Sequence, residues 1–196
     1  MRAFIVILAL CTVLAGCAAM LVPLTSDPDK KLGYAYTLFD QLQRPLPAEH
    51  LIREAIAIYQ EKNDELKLAE AYRIYGGFFR SGSIDTWHKH YEKRGFEESG
   101  ATYAKRYDKS IEYFEKAATI FEKNKKYDDL TNVYLNMGLT YEYANQPEKA
   151  CEQYSKSAIS NQQYMRNNPG ASVNLPKGFN SYEAYVVSIK ERLKCS

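Results

Sequence analysis

The chain has 196 residues, of which 45% are hydrophobic and 26% charged, with 26 basic side chains against 24 acidic ones. That balance belongs to a folded globular domain, and 10 Gly with 7 Pro exclude collagen and low-complexity disorder. A net charge of +2 provides no strong positive field, so nucleic acid is not an expected partner.

Met1-Arg2 opens the chain, and an uncharged run from Ala3 to Val13 follows. The run is too short for a membrane-spanning helix, which needs about 20 residues. It has the length of a secretory signal core. Next comes Leu14-Ala15-Gly16-Cys17, a branched apolar residue, two small residues and a thiol. This resembles a bacterial lipobox. The resemblance implies a signal peptide over 1–16, a diacylglyceryl thioether with palmitate-type acyl chains on Cys17, and a tether over 17–28. Because Ala18 rather than Asp follows the Cys, it also implies an outer-membrane lipoprotein whose domain faces the periplasm. Each buried methylene contributes about 0.8 kcal/mol, so two or three acyl chains anchor a protein stably. The alternative is an ordinary secreted protein with Cys17 as a disulfide partner. In the lipoprotein reading Cys11 leaves with the signal peptide, and Cys151 and Cys195 remain. In an oxidising periplasm these two either pair or stay as free thiols. Without a CxxC spacing they form neither a redox motif nor a zinc site.

From residue 29 onward, apolar and aromatic residues recur three and four apart, which predicts helices throughout. Leu32, Ala35, Tyr36 and Phe39 mark a first helix. Pro45 and Pro47 mark a turn, and Ala48, Ile52 and Ala55 a second helix. Tyr72, Tyr75 and Phe79 then bracket Gly76, and Tyr134, Met137 and Tyr141 bracket Gly138 in the same layout. Ala150 lies 12 residues after Gly138, with Tyr154 four further on, and Ala48 lies 12 after Tyr36. In the middle unit the matching Ser110 lies 34 after Gly76, an excess of 22. The step from Tyr36 to Gly76 is 40 residues and the step from Gly76 to Gly138 is 62, which differ by the same 22.

These features resemble the tetratricopeptide-repeat family over 29–164, as three 40-residue units with an insertion at about 83–106. The resemblance implies an all-α helical solenoid of about three helix pairs. Gly76 and Gly138 are expected where paired helices approach most closely. Breakers over 166–178 precede a stripe of Tyr182, Tyr185, Val186, Ile189 and Leu193, so 165–196 is expected to be a loop and a C-terminal capping helix. Most of the 17 Tyr fall on packing positions of this pattern, which favours core over a carbohydrate-binding surface.

The concave face of such a solenoid is lined by the first helices of its units. The expected protein-binding groove comprises Glu70, Arg73, Ile74, Gly77 and Arg80 from the second unit. Asn132, Leu135, Asn136, Leu139 and Tyr143 come from the third, and Tyr34, Thr37 and Gln41 from the first. Arg73 and Arg80, seven apart on one stripe, suit an acidic partner segment, and Asn136 suits a peptide backbone. The insertion carries Trp87, His88, His90, Tyr91 and Phe96. Two readings stand for it: an excursion whose aromatic residues fold back on the repeats, or a partner-binding loop. His88-Lys89-His90 with Asp85 and Glu92 nearby has metal-ligand residue types, but no second pair occurs elsewhere and no metal is expected.

No hydrolase elbow, zinc-protease, P-loop or dinucleotide-binding motif occurs, and the three His lack a matching nucleophile. The expectation is therefore not an enzyme and no cofactor. It is a lipid-anchored interaction module on the periplasmic face of the outer membrane, binding a helix or extended segment of a partner protein. An envelope scaffold or adaptor is the leading role. An immunity lipoprotein that neutralises a periplasmic toxin of type VI secretion, or a pilotin for a secretin, is the alternative. A carbohydrate-binding or glycan-acting protein is the alternative from another class.

Overall fold

The computed structural model describes Val22, residues 24–173 and residues 175–195. The expected signal peptide and the lipidation at Cys17 lie outside the described residues. Helix α1 (Pro28–Tyr36) runs into a π-helical turn (Thr37–Gln41). Then follow α2 (Pro45–Glu61), α3 (Glu65–Arg80), α4 (Gly82–Thr86), α5 (His88–Arg94) and a 3-10 turn (Tyr103–Lys105). The chain continues as α6 (Arg106–Lys123), α7 (Tyr127–Tyr143), α8 (Pro147–Asn167) and α9 (Tyr182–Leu193). No strand occurs among the described residues, and no helix among them is long and apolar enough to cross a membrane.

Local chemistry sets the helix ends. Asp27 caps α1 by accepting from the amides of Asp29 and Lys30, Asp64 caps α3 through Lys67, and Ser181 caps α9 through Ala184. Pro45 and Pro147 start α2 and α8, where a missing amide N–H costs nothing. Three connections share one turn. Asn63, Lys125 and Asn145 adopt φ of 53°, 53° and 56°. The next amide then donates back five residues: Asp64 to Tyr59, Lys126 to Phe121 and Gln146 to Tyr141, at 3.1, 2.9 and 2.8 Å. This left-handed termination satisfies helix-end carbonyls and reverses the chain.

The helices pair as α1 with α2, α3 with α6, and α7 with α8, giving three antiparallel units, while α9 packs on α8 as a cap. The middle pair is split by α4, α5 and the 3-10 turn. Two glycines allow close approach within pairs. A Cβ on Gly138 would lie 2.5 Å from the ring of Tyr154, and one on Gly76 would lie 2.9 Å from the ring of Phe114. Three clusters of buried residues link each unit to its neighbours, as expected of a solenoid. The first joins α1 and α2 to α3 and the insertion, the second joins α3 and α6 to α7, and the third joins α7 and α8 to α9.

Tyrosine hydroxyls stitch adjacent helices together. Tyr59 of α2 donates to Asp29 of α1 at 2.8 Å, and Tyr75 of α3 to Glu49 of α2 at 3.0 Å. Tyr134 of α7 donates to Glu122 of α6, and Tyr154 of α8 to Glu142 of α7. A buried ring thereby fills the core while its hydroxyl reaches a carboxylate on the neighbouring helix, which for Tyr75 is the buried Glu49. Cys151 of α8 and Cys195, just past α9, form a disulfide with their Cα atoms 5.8 Å apart. It fastens the cap to the last unit across a sequence separation of 44.

Candidate functional site: the concave groove

A cavity of about 380 Å³ opens where the first helices of the three units face one side. The first unit supplies Tyr36, Phe39, Asp40 and Gln43, and α3 supplies Arg73, Ile74, Gly77 and Arg80. Helix α7 adds Asn132, Asn136 and Tyr143, and Phe114 of α6 also reaches it. Gly77 has no atom within 4 Å of its Cβ position, so its lack of a side chain leaves space in the groove.

Two arginines on one stripe of α3 have different surroundings. Arg73 Nε donates to Glu70 Oε2 at 2.7 Å, Nη2 donates to the other carboxylate oxygen, and Nη1 donates to Asn132 Oδ1 at 3.2 Å. Burial opposes its charge, but the Glu70 carboxylate outweighs burial and raises its pKa. Arg80 Nη2 donates to Asn136 Oδ1, while its buried Nε has no partner. Burial pulls the Arg80 pKa below the usual guanidinium value. Asn136 Nδ2 donates to the carbonyl of Asn132 at 2.8 Å and to its Oδ1 at 3.0 Å. A polar chain thus runs Arg73–Asn132–Asn136–Arg80 across the floor between α3 and α7. Tyr36 and Tyr143 remain 47% and 61% exposed at the mouth.

Seven of the residues expected on the groove line it: Arg73, Ile74, Gly77, Arg80, Asn132, Asn136 and Tyr143. Glu70 is taken up as the counterion of Arg73. Leu135 and Leu139 instead pack against the third core cluster, because the capping helix brings apolar surface to that side of α7. In the first unit Tyr34 packs on the first cluster, and the Thr37 hydroxyl donates to the Gly33 carbonyl. Tyr36, Asp40 and Gln43 take the groove positions in place of Tyr34, Thr37 and Gln41. The π turn at Thr37–Gln41 accounts for part of this change, since its wider turn shifts a stripe counted at the α-helical period. Phe114 belongs to a second helix and reaches the groove beside Gly76, a contact that residue spacing alone does not reveal.

The insertion folds back on the repeats. Ile84 and Tyr91 are buried, and Phe96 stacks on Tyr91 at 4.2 Å and lies 4.9 Å from Phe79. Its return strand of chain meets α2: the Glu98 amide donates to Glu49 Oε1 at 3.2 Å, and Arg53 donates to the Glu97 carbonyl. Glu49 is buried, and that burial pushes its pKa up to about 7 against the donors around it. Trp87 Nε1 donates to the Gln43 carbonyl at 3.0 Å and stays 38% exposed. His88 Nδ1 lies 2.9 Å from the Asp85 carbonyl, and His90 lies beside Trp87 and Tyr91. Asp85 is engaged by Arg106 and Tyr103. Among the described residues no group of three or more His, Cys, Asp or Glu is arranged to hold a metal ion.

Residues 98–158 match the tetratricopeptide-repeat family model. That stretch covers the end of the insertion, α6, α7 and the first half of α8. No curated protein and no solved structure matches the chain. The repeated helix pairs and their glycine contacts, with this match over 98–158, make the described chain an all-α helical solenoid of tetratricopeptide-repeat type.

Proposed function

We propose that this chain is a non-enzymatic protein–protein interaction module, held to the periplasmic face of the outer membrane by lipid on Cys17, where it acts as an envelope scaffold or adaptor. Its partner docks a segment in the concave groove. The observation that carries this reading is the groove itself, which spans all three units and leaves Tyr36, Tyr143 and the Arg80 guanidinium without full partners. Aromatic and arginine side chains in a concave site are the usual anchors of a protein interface. The Cys151–Cys195 disulfide supports an oxidising compartment, since such bonds are rare in the cytosol.

The test is site-specific photocrosslinking in cells. A photoreactive residue at Tyr143 should trap a discrete partner band, whereas one at Val187, 47% exposed on α9 and outside the groove, should not. Equal trapping at both positions, or none at Tyr143, refutes the groove reading. Cys17→Ser should abolish acyl labelling, and unchanged labelling refutes the anchor.

A further inference from the structure

Three arginines of this fold are matched to a carboxylate, and Arg53 donates to the Glu97 carbonyl. Arg73 has Glu70, Arg106 has Asp85, and Arg192 has Glu142. Arg80 has no ion pair among the described residues. Among the described residues its hydrogen-bond partner is the neutral amide oxygen of Asn136. Asp40 lines the same cavity but is exposed and makes no ion pair with it. An arginine withdrawn from water without a counterion is costly, and the cost disappears when a carboxylate arrives.

The site is also built to hold the guanidinium still. Both N–H groups of the Asn136 amide are spent on Asn132, which fixes its oxygen toward Arg80. Because those N–H groups are spent, Asn136 has no donor left for a ligand's main chain. The floor therefore suits a side-chain carboxylate better than a chain terminus, which presents a peptide group beside its carboxylate. At the mouth, the exposed rings of Tyr36 and Tyr143 offer apolar surface next to the charge.

Resting on the reading that this groove binds a partner protein, we propose that Arg80 is its specificity-determining residue. The partner segment inserts an Asp or Glu side chain onto Arg80 and lays a neighbouring apolar or aromatic side chain against Tyr36 and Tyr143. Arg73 contributes no comparable selectivity, because Glu70 already occupies two of its donors. The carboxylate forms charge-assisted bonds with the terminal nitrogens of the Arg80 guanidinium and supplies the counter-charge that its buried, unpartnered Nε–H lacks.

The test uses the folded chain and two short capped peptides, acetyl-Gly-Ser-Tyr-Glu-Leu-Ser-Gly-amide and the same peptide with Gln for Glu. Arginine side-chain NMR signals of the ¹⁵N-labelled protein are followed during titration to millimolar peptide. The Glu peptide should shift the Arg80 Nε–H signal saturably and leave that of Arg73 nearly in place. The Gln peptide should bind at least about tenfold more weakly, the ratio for losing one charge-assisted hydrogen bond. Arg80→Gln should lose the same factor, and Arg80→Lys, which keeps charge but not the planar fork, should fall between. Far-UV circular dichroism of each variant confirms that it is folded.

Equal binding of the two peptides, or no Arg80 shift with the Glu peptide, overturns the proposal. Tighter binding by the Gln peptide carrying a free C-terminus than by the capped Glu peptide overturns the choice of a side-chain carboxylate. If Tyr143 still traps a partner in cells and Arg80→Gln leaves that trapping unchanged, the Arg80 inference falls while the groove reading stands.

Discussion

Gly138→Ala should be destabilising despite the higher helix propensity of alanine. The new Cβ would lie 2.5 to 2.7 Å from three ring atoms of Tyr154. Carbon atoms prefer a separation of about 3.5–4.0 Å, so the ring or α7 must move by about 1 Å. The ring has little freedom to move. Tyr154 is fully buried, its hydroxyl is bonded to Glu142, and it shares a cluster with Tyr182, Val186 and Ile189. Overpacking of this kind costs about 1–3 kcal/mol, and weakening a hydrogen bond to a carboxylate adds about 1.5 kcal/mol. The propensity gain offsets about 1 kcal/mol. The net loss is about 2–3 kcal/mol, or about 5–10 °C in Tm for a domain of this size. Gly33→Ala is the control, because nothing lies within 4 Å of that Cβ position, and it should raise stability by up to about 1 kcal/mol. Gly76→Ala, facing Phe114 at 2.9–3.0 Å, should fall between them. Urea denaturation followed by far-UV circular dichroism, with the disulfide intact, ranks the three. The penalty at Gly138 should also vanish in a Tyr154→Ala background. A Gly138→Ala protein as stable as the parent, or a penalty unchanged without the ring, refutes the steric argument.

Two further outcomes follow from the buried groups. Glu49 has a folded pKa of about 7 against an ordinary 4.5, so the folded state holds its proton more tightly than the unfolded chain does. Its contribution to stability is fully present below about pH 4.5 and is lost as pH rises through about 7, roughly 3 kcal/mol in all. Glu49→Gln should flatten the fall in urea midpoint over that interval, and an unchanged slope would sink the assignment. Asp129, pushed up to about 6 mainly by burial, adds a slope of the same sign. Opening the Cys151–Cys195 bond, by reductant or by Cys151→Ser with Cys195→Ser, releases a loop of 44 residues and should cost about 4 kcal/mol. Calorimetry should then show a Tm lower by about 10 °C. A reduced protein melting with the oxidised one would contradict the stapling role.

The repeat register was legible because it rests on sterics that the chain must obey. Gly76, Gly138 and the 12-residue offset to the second helix are consequences of close helix approach, and the 22-residue excess falls in the unit that α4, α5 and the 3-10 turn interrupt. Asn63 and Lys125 end equivalent helices in the same left-handed turn. Other features lay beyond local pattern. The π turn at Thr37–Gln41 has no marker in residue type and shifts the groove stripe beyond it, while the change from Tyr34 to Tyr36 lies before that turn. Leu135 and Leu139 looked like groove residues because the position of α9 is a tertiary fact. The difference between Arg73 and Arg80 depends on whether a carboxylate sits a turn earlier on the same face. Glu70 stands three before Arg73, whereas Gly77 stands three before Arg80. That contrast is in the sequence and gains meaning only once both side chains are seen to share a cavity.

The staple between α8 and the end of α9 gives this solenoid a direction of wear. Units that hold only their neighbours unzip from whichever end is weaker. With Cys151 bonded to Cys195, the cap cannot drift away from α8, so the opening that heat, protease or tension exploits begins at α1, a helix of nine residues. Tyr36, Phe39 and Asp40 would then leave the groove while Asn136 and Tyr143 stay in place. A bound segment would lose one wall of its site and keep the other, peeling off from one edge instead of leaving a site that collapses all at once.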